Sequence, residues 1–242
     1  MDLIPDLKAR LEAARDAGSP LLEEEVERAL ALAGQSQPAT AEAIDRVILE
    51  TLDARFLHHR RSLAELAGQA LRNLVAHIKR HSQEDPRRRG LVHFVVCLFA
   101  DNVKAGGTSH LYTEVEHELG RLLTAADFMA LRYSMVENMP AYGDAEVSWD
   151  LERWSNMIRK CAMNLVGLDR EELLEWLLSA RLHHTRFHIL LELGRIDEAV
   201  AVVREHLDDG VWEEGGTLLT LECLESEGNH KALARLRELR SL

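Results

Sequence analysis

Histidines and carboxylates at helical spacing are the first residues in this sequence that could do chemistry. His110, Glu114 and His117 are spaced i, i+4 and i+7, so a helix would place all three on one face. Glu114 and His117 have the Glu-x-x-His spacing used by carboxylate-bridged di-iron proteins. A complete site of that kind also needs a second such motif and glutamates from other helices. We therefore expect a hydrated helix face, and a metal-binding helical protein or enzyme is the alternative.

Two further groups of histidines share the helical spacing. His77 and His81 form an i, i+4 pair, but no glutamate follows His77, so the zinc-protease motif is absent. His81 falls near a predicted helix end, where a cation complements the helix dipole. The other group lies on an amphipathic segment near the C-terminus. We expect ordinary surface or boundary histidines there, and the alternative is that they line a groove between helices that binds a partner. Its members are His183, His184, Arg186 and His188.

The basic segment 79–89 is the densest cluster of positive charge. Lys79 and Arg80 are followed, after six residues, by three consecutive arginines. The segment could contact an acidic protein, or the phosphates of RNA or DNA in a nucleic-acid-associated subunit. No aromatic residue is interleaved with the basic residues, so base stacking is not indicated. We expect a solvated loop over residues 79–90, which carries the candidate partner-binding residues Arg87, Arg88 and Arg89.

Composition and charge exclude several classes of protein. The formal charge of −12 argues against general nucleic-acid binding. No stretch of 18 apolar residues occurs, and the N-terminus lacks the apolar core of a secretory signal. Cys97, Cys161 and Cys223 are far apart and form no Cys-x-x-Cys, as expected of free thiols in a reducing compartment. We expect a soluble cytoplasmic protein with no cofactor and no membrane contact.

The elements that must position these residues are all predicted to be helices. Apolar residues recur at helical spacing along most of the chain, which indicates about eleven helices with short connections. The most apolar run, at residues 91–100, has no partner strand and is predicted to be a central buried helix. Three helix starts are indicated by polar pairs that suit the cap of a helix. These pairs are Ser62 with Glu65, Thr124 with Asp127, and Asp169 with Glu172.

Two similar lines near the C-terminus are LLELGRIDEAVAVVREHL and CLESEGNHKALARLREL. Each passes from an apolar helix through one glycine into a second amphipathic helix, and the two glycines, Gly194 and Gly228, are 34 residues apart. This quarter of the chain resembles the tetratricopeptide repeat family. In that family a glycine ends the first helix and a later alanine allows close packing, which Gly194 and Ala199 match. The departures are His183 at the family's tryptophan position, the absence of the closing proline, and Ala232, which lies one residue closer to its glycine.

We expect an all-α protein of stacked helical hairpins, similar to an α-solenoid at the C-terminus. The expected parts are an N-terminal helical hairpin at 1–38, a central helical region at 39–166 and tetratricopeptide-like hairpins at 167–242. Stacked hairpins present an extended surface to a binding partner. The expected function is therefore a scaffold or adaptor that binds another protein or peptide, in preference to an enzyme.

Overall fold

The computed structural model describes residues 3–52, 54–57, 60–104, 110–137, 147–206, 230–231 and 233–234. Regular structure in these residues is entirely helical, without a strand, which confirms the all-α prediction. The first six helices are α1 (Leu3–Ala17), α2 (Ser19–Gln35), α3 (Pro38–Thr51), α4 (Ala54–Leu57), α5 (Arg61–Ile78) and α6 (Pro86–Lys104). The others are α7 (His110–Leu122), α8 (Ala125–Glu137), α9 (Val147–Asn164), α10 (Arg170–Ser179), α11 (His183–Glu192) and α12 (Ile196–His206). Within the described ranges, no helix is both long and apolar enough to cross a membrane.

The chain divides into two compact units, residues 1–154 and 155–242, with the boundary inside α9. The division expected from the sequence, after residues 38 and 166, is a different one. The N-terminal hairpin is not separate from the rest of unit 1, because α3 packs against both α1 and α2. Leu7, Leu11 and Leu22 are fully buried and place the hairpin's apolar side in the core of unit 1.

In unit 1, α5 packs against α3 on one side and α7 on another, and α6 packs against α7 and α8. The apolar run at 91–100 lies in α6, as predicted, and Val92, Val95 and Phe99 are fully buried. The ring of Phe99 meets that of Trp154 edge to face, with centroids 4.9 Å apart. This part of the sequence is therefore the apolar centre of unit 1.

The start of α6 lies earlier than expected. Residues 79–90 were predicted to be a loop, but α6 already begins at Pro86, so the arginines at 87–89 belong to its first turn. Proline suits the first position of a helix because the missing N–H has no partner there in any case. The Asp85 carboxylate accepts a hydrogen bond from the Arg87 N–H at 2.9 Å and caps the new helix. The loop between α5 and α6 is thus confined to residues 79–85, which we call the connector.

The predicted capping pairs have different outcomes. Asp169 accepts hydrogen bonds from two backbone N–H groups at the start of α10, as predicted. Thr124 and Asp127 bond reciprocally before α8, the Thr124 N–H to the carboxylate at 2.9 Å and the Asp127 N–H to the hydroxyl at 3.1 Å. Ser62 does not cap α5, because its hydroxyl donates to Glu23 instead, at 2.6 Å. A helix does start next to Ser62, as predicted, since α5 begins at Arg61. The predicted hydrogen bond between Ser62 and the N-terminal end of α5 is wrong.

In unit 2, three helix ends use left-handed residues. Gly167, Arg181 and Gly194 have φ angles of 79°, 57° and 75°. After α11, the Gly194 N–H donates to Leu191 O and the next N–H donates to Leu190 O, both at 2.9 Å, which is the Schellman arrangement. The same pair of bonds follows α10, with an arginine in the position that glycine usually takes.

The first of the two repeat-like hairpins is formed by α11 and α12. The helices pack against each other, and Ala199 on α12 is fully buried. The second hairpin's Gly228 and Ala232 lie outside the described residues. The structure therefore describes one helical hairpin of this kind, and a regular repeat stays a prediction.

Candidate functional site

The predicted metal candidates lie on α7, which includes residues 110, 114 and 117. The side chain of His117 is exposed, whereas those of His110 and Glu114 lie outside the described side chains. A second Glu-x-x-His does occur in the sequence, at Glu227 and His230, but Glu227 is also outside the described residues. Within the described part of the chain, no three His, Cys, Asp or Glu side chains converge as a metal site requires.

Arg88 is the interior member of the basic segment. Only 4% of its surface is exposed, and its guanidinium forms an ion pair with Asp127 in addition to donating to Leu122 O at 3.0 Å. Arg88 therefore joins the start of α6 to the turn between α7 and α8. Both terminal nitrogens of Arg88 are directed into unit 1, and a contact between Arg88 and a partner stays a prediction.

Two other basic residues of the segment lie beside acids from neighbouring helices. Lys79 Nζ lies 4.0 Å from Glu118 Oε2 on α7, and Arg87 Nε lies 3.2 Å from Glu42 Oε1 on α3. Arg80 and Arg89 are exposed. Much of the positive charge that the sequence concentrates here is thus balanced by acids that only the fold brings near, which weakens the case for a phosphate-binding surface.

The histidines considered as groove residues lie largely in the interior of unit 2. His183 and His188 are buried, and His184 and Arg186 are half-buried. The rings of His184 and His188 are in edge contact, with centroids 4.6 Å apart. His183 and His188 therefore contribute to the packing of α11, and a role for them in binding a partner stays a prediction.

Burial also keeps the imidazoles of His184 and His188 neutral. Burial first, and the Arg159 guanidinium second, lowers the pKa of His184 to about 4. Burial and then the neighbouring His184 lower the pKa of His188 to about 3. Arg159 itself forms an ion pair with Glu192 at 2.9 Å, so α9 and α11 are joined beside the histidines. Neutral rings are the form that can be packed in an apolar interior at low energetic cost.

A cluster of polar side chains between α3 and α5 is the most unusual feature of unit 1. From α3 come Glu42 and Asp45, which are spaced i, i+3 and are both buried, Asp45 completely. From α5 come Asn73 and His77, at i, i+4, and His81 follows in the connector. A buried carboxyl group near a histidine is typical of sites where a protein adjusts protonation for function.

Asp45 and His77 form the inner half of this cluster. Asn73 Nδ2 donates to Asp45 Oδ1 at 3.3 Å, whereas Asp45 Oδ2 is without a hydrogen bond and lies 3.7 Å from His77 Nε2. Burial raises the pKa of Asp45 from 3.8 to about 7, although the Asn73 hydrogen bond acts in the opposite direction. Burial, and next the Arg80 guanidinium, lowers the pKa of His77 below its ordinary 6.5. Both groups can therefore be neutral together at a pH just below 7.

Glu42 and His81 form the outer half of the cluster. The two ring nitrogens of His81 face carboxylates, Nε2 to Glu42 at 3.1 Å and Nδ1 to Asp85 at 3.1 Å. Only a ring protonated on both nitrogens can donate to both acids. Because Glu42 also pairs with Arg87, it ties the connector and the start of α6 to α3. The outer half therefore holds the connector, while the inner half can take up and release a proton.

The sequence contains a signal for this cluster that was not among the predicted sites. Ala41, Asp45 and Ile48 are spaced i, i+4 and i+7, so the carboxyl group occupies a core position of α3. His77 and His81 were predicted as a pair, but their acidic partners on α3 lie more than 30 residues earlier in the chain. Comparisons of the chain with protein-family models, with curated proteins and with solved structures find no match.

Proposed function

We propose that the protein is a scaffold that binds another protein, and that the outer face of α10 is the binding surface. Four side chains share this face, at spacings that place them within one third of the helix circumference. They are the exposed Glu171, Glu172, Glu175 and Leu178. Leu178 is the observation that carries the proposal, since 45% of a large apolar side chain is exposed among three carboxylates.

The chemistry of this face suits a basic, amphipathic partner segment. Arg195 connects it to the start of α12, because its guanidinium pairs with Glu171 on α10 and donates to Glu198 Oε1 at 2.7 Å. Asp197 adds an exposed carboxylate near the start of α12. Complementary charge speeds association and selects the partner, and an apolar side chain at the centre supplies contact area. The resemblance of this quarter to tetratricopeptide hairpins supports a binding role as well.

A charge-reversal experiment tests the proposal. The tagged chain is used to capture partners from a lysate of its own cells, alongside the variant Glu172→Lys/Glu175→Lys. The matched control is Glu24→Lys/Glu27→Lys on α2, which changes the same charge at exposed positions of unit 1. We expect a protein retained by the wild type and the control and lost by the α10 variant. Equal retention by all three chains would contradict a role for α10, and nuclease-sensitive capture of nucleic acid would contradict the scaffold function.

We place this scaffold in the cytoplasm. Cys161 carries a free thiol and is buried in unit 2. Burial raises the pKa of the Cys161 thiol to about 12, so it does not act as a nucleophile. A free cysteine of this kind is usual in a reducing compartment.

A further inference from the structure

We propose that Asp45 and His77 form a proton switch that controls the contact between His77 and Arg80, the second residue of the connector. The side chains of Asp45, His77 and Arg80 are increasingly exposed, in that order. Asp45 is fully buried on α3, His77 lies near the end of α5, and Arg80 is exposed in the connector. The proposal goes beyond the scaffold role and does not depend on it, because every group belongs to this chain.

The contact with Arg80 determines where His77 carries its proton. Arg80 Nη1 lies 3.5 Å from His77 Nδ1. We assign Nδ1 as the bare, accepting nitrogen, because a guanidinium group only donates hydrogen bonds. The neutral ring then has its proton on Nε2, which faces Asp45 Oδ2 at 3.7 Å. This arrangement suits an ionised Asp45, because both carboxylate oxygens then face donors, one from Asn73 and one from His77.

Protonation of Asp45 reverses this arrangement. Oδ1 already accepts from Asn73, so an added proton belongs on Oδ2, the oxygen that is without a hydrogen bond. The new O–H and the Nε2–H of His77 would then be two donors facing each other. The ring resolves this by losing its Nε2 proton to water and binding another at Nδ1, so that Nε2 accepts from Oδ2–H. One proton is taken up in total, the ring stays neutral, and Nδ1–H can no longer accept from Arg80.

The charges around the pair set the pH at which this happens. Burial raises the pKa of Asp45 to about 7, so the switch operates near neutrality. The charged groups that affect the pKa of His77 are Arg80, Glu42 and His81. Several other charged groups on the elements packed against α3 and α5 form ion pairs of their own. They are Lys8 of α1 with Glu50, Glu25 of α2 with Arg10 and Arg28, Arg87 of α6 with Glu42, Asp85 with His81, and Glu118 of α7 with Lys79 and Arg121. Arg46 of α3 lies over the Phe94 ring, 5.0 Å from its centroid.

Nuclear magnetic resonance of the labelled full chain tests the switch directly. The Asp45 carboxyl carbon, both ring nitrogens of His77 and the Arg80 Nε signal are followed from acidic to alkaline pH. We expect one shared midpoint near pH 7. Above it the His77 proton should be on Nε2, and below it on Nδ1. The variant Asp45→Asn should remove this shared transition from His77 and Arg80, whereas Glu50→Gln, on the same helix, should preserve it.

Three results would overturn the proposal. One is an Asp45 midpoint in the ordinary carboxyl range, which the wild-type titration reveals even if the variant fails to fold. The second is a His77 ring that keeps its tautomer, or becomes doubly protonated, at the Asp45 midpoint. The third is a stoichiometric response of the Asp45 and His77 signals to added Zn²⁺ at neutral pH, which would identify the pair as metal ligands instead.

Discussion

Arg88 and Asp127 show what a buried charge requires of its surroundings. The guanidinium has a carboxylate and a backbone carbonyl as acceptors, and the same carboxylate caps α8 through Thr124. Removing one member of a buried ion pair is costly, because the other charge stays in the interior without a counter-charge. These two residues should therefore be among the least tolerant polar positions of unit 1.

Asp127→Asn should lower the free energy of unfolding by about 3–5 kcal/mol, because it leaves the Arg88 guanidinium buried and unpaired. Urea denaturation followed by circular dichroism measures the change. Arg88→Met in the Asp127→Asn background should recover much of the loss, since neither charge then remains. The exposed neighbour supplies the control, and Arg89→Met should change stability by less than about 0.5 kcal/mol. If the single variant Asp127→Asn were as stable as the wild type, the ion pair would make no contribution to stability.

At the scale of the helices, the turns of unit 2 depend on left-handed backbone. Gly194 adopts φ 75° after α11, and a Cβ atom added there would have no heavy atom within 4 Å. The glycine is therefore needed for its backbone conformation and not for lack of space. Arg181 adopts φ 57° after α10 without that freedom. A left-handed residue with a side chain carries a conformational penalty of roughly 1–2 kcal/mol.

Arg181→Gly should stabilise the protein by up to about 1 kcal/mol, because relief of the left-handed strain exceeds the added flexibility of the unfolded chain. Gly194→Ala should destabilise it by about 1 kcal/mol for the same backbone reason. The two variants can be compared in parallel thermal melts. If Arg181→Gly is less stable than the wild type, the arginine side chain must form contacts that outweigh the strain.

Ala199 tests whether α11 and α12 pack as closely as the resemblance to tetratricopeptide hairpins implies. It is fully buried. Ala199→Leu should therefore overpack the hairpin and lower stability by about 1–3 kcal/mol. Ala201→Leu, two residues along the same helix but exposed, is the matched control and should have little effect. Equal melting temperatures for the two variants would contradict close packing at Ala199.

At the scale of the whole molecule, the α3–α5 cluster makes stability depend on pH in two opposing ways. The folded state holds the Asp45 proton to a pKa of about 7, against 3.8 in the unfolded chain. The free energy of unfolding therefore falls as pH rises from about 4 to about 7. His77 acts oppositely, because burial lowers its pKa below 6.5 and the unfolded chain binds more protons just below that pH.

Asp45→Asn removes the first of these two contributions. The variant and the wild type should differ least in stability at about pH 4, because ionisation of Asp45 in the unfolded chain has then hardly begun to favour unfolding. At pH 8 the variant should be more stable, by an amount on the order of 4 kcal/mol. Urea denaturation at the two pH values measures the difference, with Glu50→Gln as the control. A stability gap that is the same at both pH values would show that Asp45 ionises normally in the folded protein.

The sequence by itself determined the features that depend on neighbouring residues. The helical class, the apolar helix around Val92 to Phe99 and the cap at Asp169 follow from periodicity and capping over a few residues. The turn at Gly194 was predicted for the same reason. The predicted start of α6 was too late in the chain. Asp85 and Pro86 are a local signal for a helix start, but they were interpreted as part of a loop.

Only the tertiary structure decided which polar side chains are buried and what they meet. Arg88 lies between two exposed arginines in a basic segment, and locally only its i, i+4 and i+7 spacing to Val92 and Val95 distinguishes it from them. Its acceptor, Asp127, is 39 residues away, as is the contact between Glu42 and His81. Whether a polar group faces water or the interior depends on which helices pack together, and packing is a property of distant segments. The physical consequence is largest at Asp45, whose ionisation changes because α5 covers it.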